Sequence, residues 1–407
     1  MDPFQQLPAE LVLSILHHTG DFLGFDSLLQ VSPHIRAVFQ SNSFQITEDL
    51  LASCPTTAHE LHHFFHVTAL IHSPSFNPVN FEDLATAIST ACSSTSFHNN
   101  TARLMISIAA QIQHLACACL SIAWVNFQTA HRAILPEEWS RSCEPFSWIE
   151  VFYVHRALWL LRIYSDLWNL VCVEKKIPVP DPHPPVCTNT SRKWSWSPSE
   201  ADKIITLAIF HLPPVNSFEL HCVADLLRHL GAPSLRDAET PTVGSLEDHF
   251  KPLPPPLFAS LHVPSINITL EHATWPTPPI PEETDLNCYW RRSPENTSGA
   301  PRQAGSYIAE QLNLSFRPGL YPTGLDDMRP FYRLGMFIWD SWRMYQMGYL
   351  RMSPRWREEM IQAPDGSYIR PPVMARRVFQ KRWCSLVGKK PGGSKRIQEL
   401  MEKTELF

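Results

Sequence analysis

The chain has 407 residues, of which 44% are hydrophobic and 11% aromatic, and its formal net charge is −5. This composition excludes an intrinsically disordered chain, and the length suffices for two or three domains that each bury a core. The 37 prolines against 14 glycines favour stiff connections between elements. We expect a mainly α-helical protein, in which an N-terminal helical hairpin precedes a helical, proline-punctuated region with at most a few short strands.

Two apolar repeats at the start of the chain predict a pair of packed helices. In the first repeat, Leu7, Leu11 and Ile15 recur every four residues and share one helical stripe, and Pro8 suits a first helical turn. In the second repeat, apolar residues recur at steps of about three over residues 25–35, which predicts one short helix packed on the first. The predicted hairpin occupies residues 1–45.

This N-terminal pattern resembles an F-box of the filamentous-fungal type. F-boxes dock on the Skp adaptor of a cullin–RING ubiquitin ligase, so the resemblance implies a substrate receptor. Its partners would be a Skp-type adaptor, cullin through that adaptor, and an unknown protein substrate. The alternative is a hairpin that only covers a core. Transferred position by position, the resemblance assigns adaptor binding to Leu7, Pro8, Glu10, Leu11, Ile15, Leu28, Val31 and Ser32.

Long apolar runs predict a helical domain over residues 46–177. One run, residues 104–127, is also the best candidate for a membrane span. However, Gln111, Gln113 and His114 interrupt it at mid-span, where polar groups are costly in lipid. We therefore interpret this run as a buried core helix and expect no membrane binding.

Proline clusters organise the remainder of the chain. Five prolines between residues 177 and 186 predict a stiff linker over residues 178–196. Residues 197–407 are then predicted to form a helical, basic, aromatic-rich region. The pattern Leu-Gly-x3-Trp-Asp-x2-Arg at residues 334–343 also resembles the C-terminal region of fungal F-box proteins. The predicted elements are helices over residues 197–211, 217–230, 331–349 and 375–387, and short strands within residues 261–270.

Charge is distributed unevenly along the chain. The net charge is −9 over residues 1–150, −5 over residues 151–289 and +9 over residues 290–407. Basic residues alternate with aromatic ones in the last third, as at Arg343, Trp356 and Trp383, which is compatible with phosphate contacts and base stacking. We prefer a solvated face, or Arg stacked on Trp within the fold, and do not expect nucleic acid as a partner.

One short motif has the spacing of a zinc protease site. His59, Glu60 and His63 fit H-E-x-x-H, in which two histidines on one helical face bind zinc beside a glutamate general base. The third ligand of known variants is missing, because His66 and Ala69 stand where a glycine and a histidine are required. We interpret the motif as a polar helix face, and we predict no metal site, no catalytic residue and no cofactor.

The remaining motifs favour a binding protein over an enzyme. The chain contains no Walker A loop, no GxGxxG and no GxSxG. Its ten cysteines include no CxxC pair, and the N-terminus has no signal peptide, so we expect reduced thiols in the cytoplasm or nucleus. The leading hypothesis is a ligase substrate receptor. The alternatives are a non-ligase interaction scaffold and a nucleic-acid-associated protein that uses the basic third.

Overall fold

The computed structural model describes residues 2–54, 61–78, 81–91, 99–132, 146–168, 170, 217–229, 329–340, 343–344, 347, 349, 361–362 and 368–369. Over these residues the protein is mainly α-helical, which confirms that part of the predicted fold class. The helices are α1 (Ala9–His18), α2 (Phe22–Val31), α3 (Pro33–Ser41), α4 (Ser43–Ser53), α5 (Leu61–Ile71), α6 (Phe81–Thr90), α7 (Asn99–Arg132), α8 (Trp148–Trp168), α9 (Ser217–His229) and α10 (Arg329–Arg333). Two short strands, β1 (Ile361–Gln362) and β2 (Tyr368–Ile369), pair antiparallel.

The protein divides into two compact units, and neither is continuous in sequence. Unit 1 contains α1 to α6, residues 99–118 of α7 and residues 155–168 of α8. Unit 2 contains residues 119–132 of α7, residues 148–154 of α8, α9, α10 and both strands. The predicted linker over 178–196, the helices over 197–211 and 375–387, and the strands within 261–270 all lie outside the described residues. The predicted domain boundaries stay predictions.

The second apolar repeat forms two helices, α2 and α3, so the prediction of one helix was wrong. Ser32 separates them in an extended conformation (φ −124°, ψ 113°), because the residue before a proline disfavours the helical region. The Ser32 hydroxyl accepts a hydrogen bond from the Ile35 N–H at 3.1 Å, which caps α3. Pro33 then occupies the first position of α3. One Ser-Pro step thus ends one helix and begins the next.

Aromatic side chains form the core of unit 1. The Phe25 ring meets the Phe39 ring edge-on at 5.7 Å, which joins α2 to α3. Phe22 lies 6.0 Å from Phe65 of α5, and Phe65 lies 5.8 Å from Trp159 of α8. All five rings are almost fully buried. Edge-on ring pairs add to the free energy gained from burying apolar surface.

Helix α7 serves unit 1 as a core helix, and its mid-span polar residue has a structural role. The Gln113 side-chain oxygen accepts hydrogen bonds from the backbone N–H groups of Phe22 at 3.0 Å and Leu23 at 3.3 Å. These are first-turn donors of α2 that have no partner within that helix. Among the described residues, α7 is the one helix long and apolar enough to cross a membrane by length and composition, and 61% of its most apolar window is buried.

In unit 2 the chain turns sharply after α10, so the predicted continuous aromatic helix over residues 331–349 was wrong. Gly335 adopts a left-handed conformation with φ 68°, which glycine reaches without strain. A Cβ atom at this position would lie 2.8 Å from the Ala123 Cβ atom and from a ring carbon of Trp339. The Trp339 indole N–H donates to the Leu334 carbonyl at 2.9 Å and so closes the turn.

A buried carboxylate lies at the polar centre of unit 2. Glu150 accepts hydrogen bonds from the backbone N–H groups of Ser147 at 2.9 Å and Asp340 at 3.0 Å. It also accepts two bonds from the Arg343 guanidinium, at 2.7 Å from Nε and 2.9 Å from Nη2. The two side chains of this ion pair are 0% and 4% exposed. Four donors therefore compensate a charge that burial would otherwise disfavour.

Aromatic rings enclose the guanidinium of this ion pair. The Arg343 Cζ atom lies 5.1 Å from the ring centre of Trp124, 5.3 Å from Phe146 and 5.7 Å from Trp339. Phe146 stacks on Trp339 at 5.8 Å, and Trp124 meets Trp339 edge-on at 6.1 Å. These distances allow cation–π attraction, which strengthens when the cation is removed from water.

Candidate functional site

The first three helices separate the apolar residues of the hairpin into a buried set and an exposed set. The buried set includes Val12 and Leu16 of α1 and Leu29 of α2, each at most 1% exposed. The residues predicted to bind an adaptor mostly lie outside this core. Leu11 is 53% exposed and Val31 is 64% exposed. Of the others, Pro8 and Glu10 are exposed, and Leu7, Ile15 and Leu28 are half-buried.

Hydrogen bonds bring the segment that contains Leu7 close to the end of α2, where Val31 lies. The His34 ring nitrogen Nε2 donates to the Leu7 carbonyl at 3.0 Å, since a carbonyl oxygen can only accept. The Ser32 hydroxyl donates to the Asp2 carboxylate at 2.8 Å. Because Val31 directly precedes Ser32, the segment before α1 lies beside the junction of α2 and α3. We call the residues Leu7, Pro8, Leu11, Ile15, Leu28 and Val31 the N-terminal apolar face.

The N-terminal apolar face has the chemistry of a docking surface. Its side chains are hydrocarbon, and fully burying one residue of this size against a partner is worth about 1.5–3 kcal/mol. Pro8 lies at the N-cap position of α1, one residue before the helical turn in which the sequence pattern placed it. Glu10 lies in the first turn of α1, where a negative charge is favourable for the helix dipole.

Ser32 differs from the other predicted adaptor-binding residues because it is fully buried. Its hydroxyl accepts from the Ile35 N–H and donates to the Asp2 carboxylate. Both hydrogen-bonding functions are used within the protein. This placement gives Ser32 a capping role at the start of α3, and we do not include it in the N-terminal apolar face.

The H-E-x-x-H motif is only partly described, because His59 and Glu60 lie outside the described residues. The His62 and His63 rings lie 4.1 Å apart in α5. Burial, followed by the nearby His62, lowers the pKa of His63. Burial, followed by His62 and then His63, lowers the pKa of His66 to about 4. No group of three or more His, Cys, Asp or Glu residues that could hold a metal occurs in the described ranges.

The structure describes one member of the predicted basic and aromatic series. That residue, Arg343, is buried, pairs with Glu150 and stacks on Trp124 and its neighbouring rings. The charge of Arg343 is thus compensated inside unit 2. This agrees with the sequence-based interpretation in which Arg stacks on Trp within the fold. The other named members, including Trp356 and Trp383, lie outside the described residues.

None of the described cysteines, which are Cys54, Cys117, Cys119 and Cys222, forms a disulfide. Burial raises the pKa of the Cys117 thiol to about 11. Burial also raises the pKa of Cys222 well above its usual value, and its thiol donates to the Tyr332 carbonyl at 3.2 Å. These two thiols are therefore protonated and poorly nucleophilic near neutral pH. The predicted cytoplasmic or nuclear location stays a prediction.

Comparison of the chain with protein-family models, with curated proteins and with solved structures finds no match in any of the three. Sequence reasoning missed two residues that lie against the N-terminal apolar face, Asp2 and His34. Neither belongs to an apolar repeat, so helical periodicity carries no signal for them. Ser32-Pro33 is the nearest signal in the sequence, because it marks the start of α3, to which His34 belongs and which Asp2 contacts.

Proposed function

We propose that this protein is the substrate-receptor subunit of a Skp/cullin–RING ubiquitin ligase and that it binds a Skp-type adaptor through the N-terminal apolar face. One observation supports this proposal most strongly. Leu11 and Val31 are more than half exposed, although their neighbours Val12 and Leu29 are buried. Large apolar side chains grouped at the surface are typical of a surface that binds another protein.

The spacing of these residues adds to the argument. Leu11 and Ile15 lie four residues apart in α1, and Leu28 and Val31 lie three residues apart in α2. Both spacings align side chains along one side of a helix. Of the sequence positions that resemble an F-box, Pro8, Glu10, Leu11 and Val31 are exposed, which is compatible with contact to a partner.

A receptor of this kind acts by proximity and performs no bond chemistry. The N-terminal apolar face would join the chain to the adaptor and, through it, to cullin. A surface elsewhere on the protein would hold the target. Holding two proteins in one complex raises the effective concentration of the target near the ligase-bound ubiquitin carrier. A hydrophobic docking surface and a folded helical body are sufficient for this role.

The test is a binding measurement between the purified full-length chain and a fungal Skp-type adaptor. The double variant Leu11→Ala/Val31→Ala removes the two most exposed side chains of the face. Truncating a large side chain near the centre of an interface often costs more than 1 kcal/mol. The affinity of the double variant is therefore expected to fall by about tenfold or more, since each 1.4 kcal/mol is a factor of ten.

A matched control removes the same side chains elsewhere. Leu104 and Val125 of α7 are 42% and 59% exposed, so Leu104→Ala/Val125→Ala deletes similar apolar surface outside the face. We expect this control to bind like the wild type, with circular dichroism unchanged in both variants. Equal losses in both double variants would contradict a specific surface. Failure of the wild type to bind at micromolar concentration would contradict the proposal itself.

The two alternatives predict other results. A non-ligase scaffold would not bind the adaptor but would retain other proteins through its helical body. A nucleic-acid-associated protein would bind DNA or RNA with an affinity that falls steeply as salt increases. Since Arg343, one of the basic candidates, is committed to a buried ion pair, the structure adds no support to the nucleic-acid alternative.

A further inference from the structure

The segment before α1 is held in place by a carboxylate. Asp2 accepts hydrogen bonds from the Phe4 N–H at 2.9 Å, from the Ser32 hydroxyl at 2.8 Å and from the His34 N–H at 3.4 Å. The last two donors belong to the beginning of α3, 30 and 32 residues along the chain. Asp2 therefore connects the N-terminal segment to α3.

A second contact holds the other end of the same segment. The His34 ring donates through Nε2 to the Leu7 carbonyl at 3.0 Å. Between the two anchors, the Gln5 N–H donates to the Asp2 carbonyl at 3.3 Å and the Leu7 N–H donates to the Phe4 carbonyl at 3.0 Å. Residues 2–7 thus form a short turn that is fixed at both ends to one helix start. We call Asp2, Ser32 and His34 the α3 clasp.

Electrostatics favours this arrangement. The first N–H groups of a helix have no partner within the helix, and the helix dipole places positive potential there. Ser32 satisfies the Ile35 N–H, and Asp2 accepts from the His34 N–H. Desolvation acts to raise the pKa of Asp2, but the hydrogen bonds from Phe4, Ser32 and His34 together lower it. The carboxylate is therefore charged near neutral pH and can accept from both Ser32 and His34.

We propose that the α3 clasp is a positioning device, which orders Leu7 and Pro8 for adaptor docking before the adaptor arrives. This inference rests on the proposed function. Leu7 precedes α1, and Pro8 joins the helix only as its N-cap residue, whose carbonyl accepts from the Val12 N–H at 3.2 Å. Without the clasp, the segment would keep backbone freedom that binding must remove. A segment ordered in advance loses less entropy on binding, so the complex is tighter.

In this proposal the clasp residues act through the position of Leu7 and Pro8. Ser32 is fully buried and His34 is half-buried, and the contacts that involve them hold the chain in place. Removing a clasp contact should leave the apolar side chains of the face unchanged and alter only how often Leu7 and Pro8 occupy the docking position. Affinity then falls because the competent fraction falls.

The test uses the full-length chain and two measurements. Hydrogen–deuterium exchange of the free protein reports order in residues 2–8, and titration with the Skp-type adaptor reports affinity. In Asp2→Ala and His34→Ala, we expect faster exchange confined to this segment and an affinity about five- to tenfold lower, because the competent fraction is reduced. The control Glu82→Ala removes an exposed acid in α6 and is expected to change neither measurement.

A conservative variant distinguishes positioning from general destabilisation. His34→Gln places an amide N–H near the former Nε2 atom and can donate to the Leu7 carbonyl. We expect it to restore both slow exchange and affinity, which a variant that merely unfolds the region would not do. Urea unfolding of each variant checks that the remaining helices stay folded.

The outcomes separate this inference from the proposed function. If the wild type binds the adaptor but Asp2→Ala and His34→Ala bind equally well, the positioning role is wrong and the receptor function stands. Faster exchange with unchanged affinity would likewise overturn the positioning role alone. If the wild type does not bind the adaptor, the receptor function fails, and the positioning role for that partner fails with it.

Discussion

Asp340 is a buried acid whose removal should stabilise the protein at neutral pH. Its pKa is raised to about 6, first by burial and then by the negative charge of Glu150. The Arg343 N–H and the Arg343 charge act in the opposite direction. The variant Asp340→Asn keeps the shape and an oxygen that can accept from the Arg343 N–H, but it removes the buried charge.

The pKa shift of Asp340 determines the size and the sign of the expected change in stability. The ordinary value is 3.8, so the folded protein binds the Asp340 proton more tightly than the unfolded chain does. The resulting stabilisation is fully present below about pH 4 and is lost as pH rises to about 6. A shift of two units corresponds to about 3 kcal/mol. Asp340→Asn should therefore raise the free energy of unfolding at pH 7.5 by about 1–3 kcal/mol, because imperfect hydrogen bonding offsets part of the gain.

Urea unfolding followed by tryptophan fluorescence measures this difference, since Trp124 and Trp339 lie beside the ion pair. The advantage of Asp340→Asn should shrink by about 2 kcal/mol between pH 7.5 and pH 4.5. Asp83→Asn, which neutralises an exposed acid in α6, should show no such trend. A destabilised Asp340→Asn with the pH dependence of the wild type would show that the carboxylate is needed in its charged form and would refute the reasoning.

Three further changes test the fold. Arg343→Met leaves the Glu150 charge buried without its cation, so the free energy of unfolding should fall by about 3–5 kcal/mol in urea denaturation. Gly335→Ala places a Cβ atom 2.8 Å from Trp339 at φ 68°, and a loss of about 1–3 kcal/mol should appear as a lower melting temperature. Ser32→Ala removes the α3 cap and should cost about 1 kcal/mol, with faster hydrogen exchange at the start of α3. Wild-type stability in any of these variants would contradict the contact concerned.

Helical periodicity was sufficient to place α1 and to identify its partly exposed stripe. Leu11 and Ile15 keep their four-residue spacing within α1, whereas Leu7 lies before the helix. It could not show that the second repeat is two helices, because the apolar steps continue across the break. The break arises because Pro33 disfavours a helical conformation at Ser32. This restriction is visible in the sequence, but the prediction gave more weight to the apolar repeat.

Contacts between distant residues limited prediction in unit 2. The aromatic residues after Phe331 have helical spacing, yet the chain turns at Gly335, where a Cβ atom would lie 2.8 Å from the Ala123 Cβ atom, 212 residues away. The partner of Glu150 could not be inferred from pattern, since Arg343 lies 193 residues away. Gln113 could be predicted only in part. Its polarity indicated that α7 is a core helix, but its partners in α2 lie about 90 residues away and could not be identified from the sequence.

The 193 residues between Glu150 and Arg343 also set an order of events during synthesis. At about 5–20 residues per second, a ribosome needs about 10–40 s to reach Arg343 after it has made Glu150. Throughout that interval the carboxylate lacks its cation, and unit 2 cannot close. The contacts of Asp2 with Ser32 and of Leu7 with His34 span only 30 and 27 residues. A nascent chain can thus complete the contacts of its N-terminal segment before the Glu150–Arg343 ion pair of unit 2 can form.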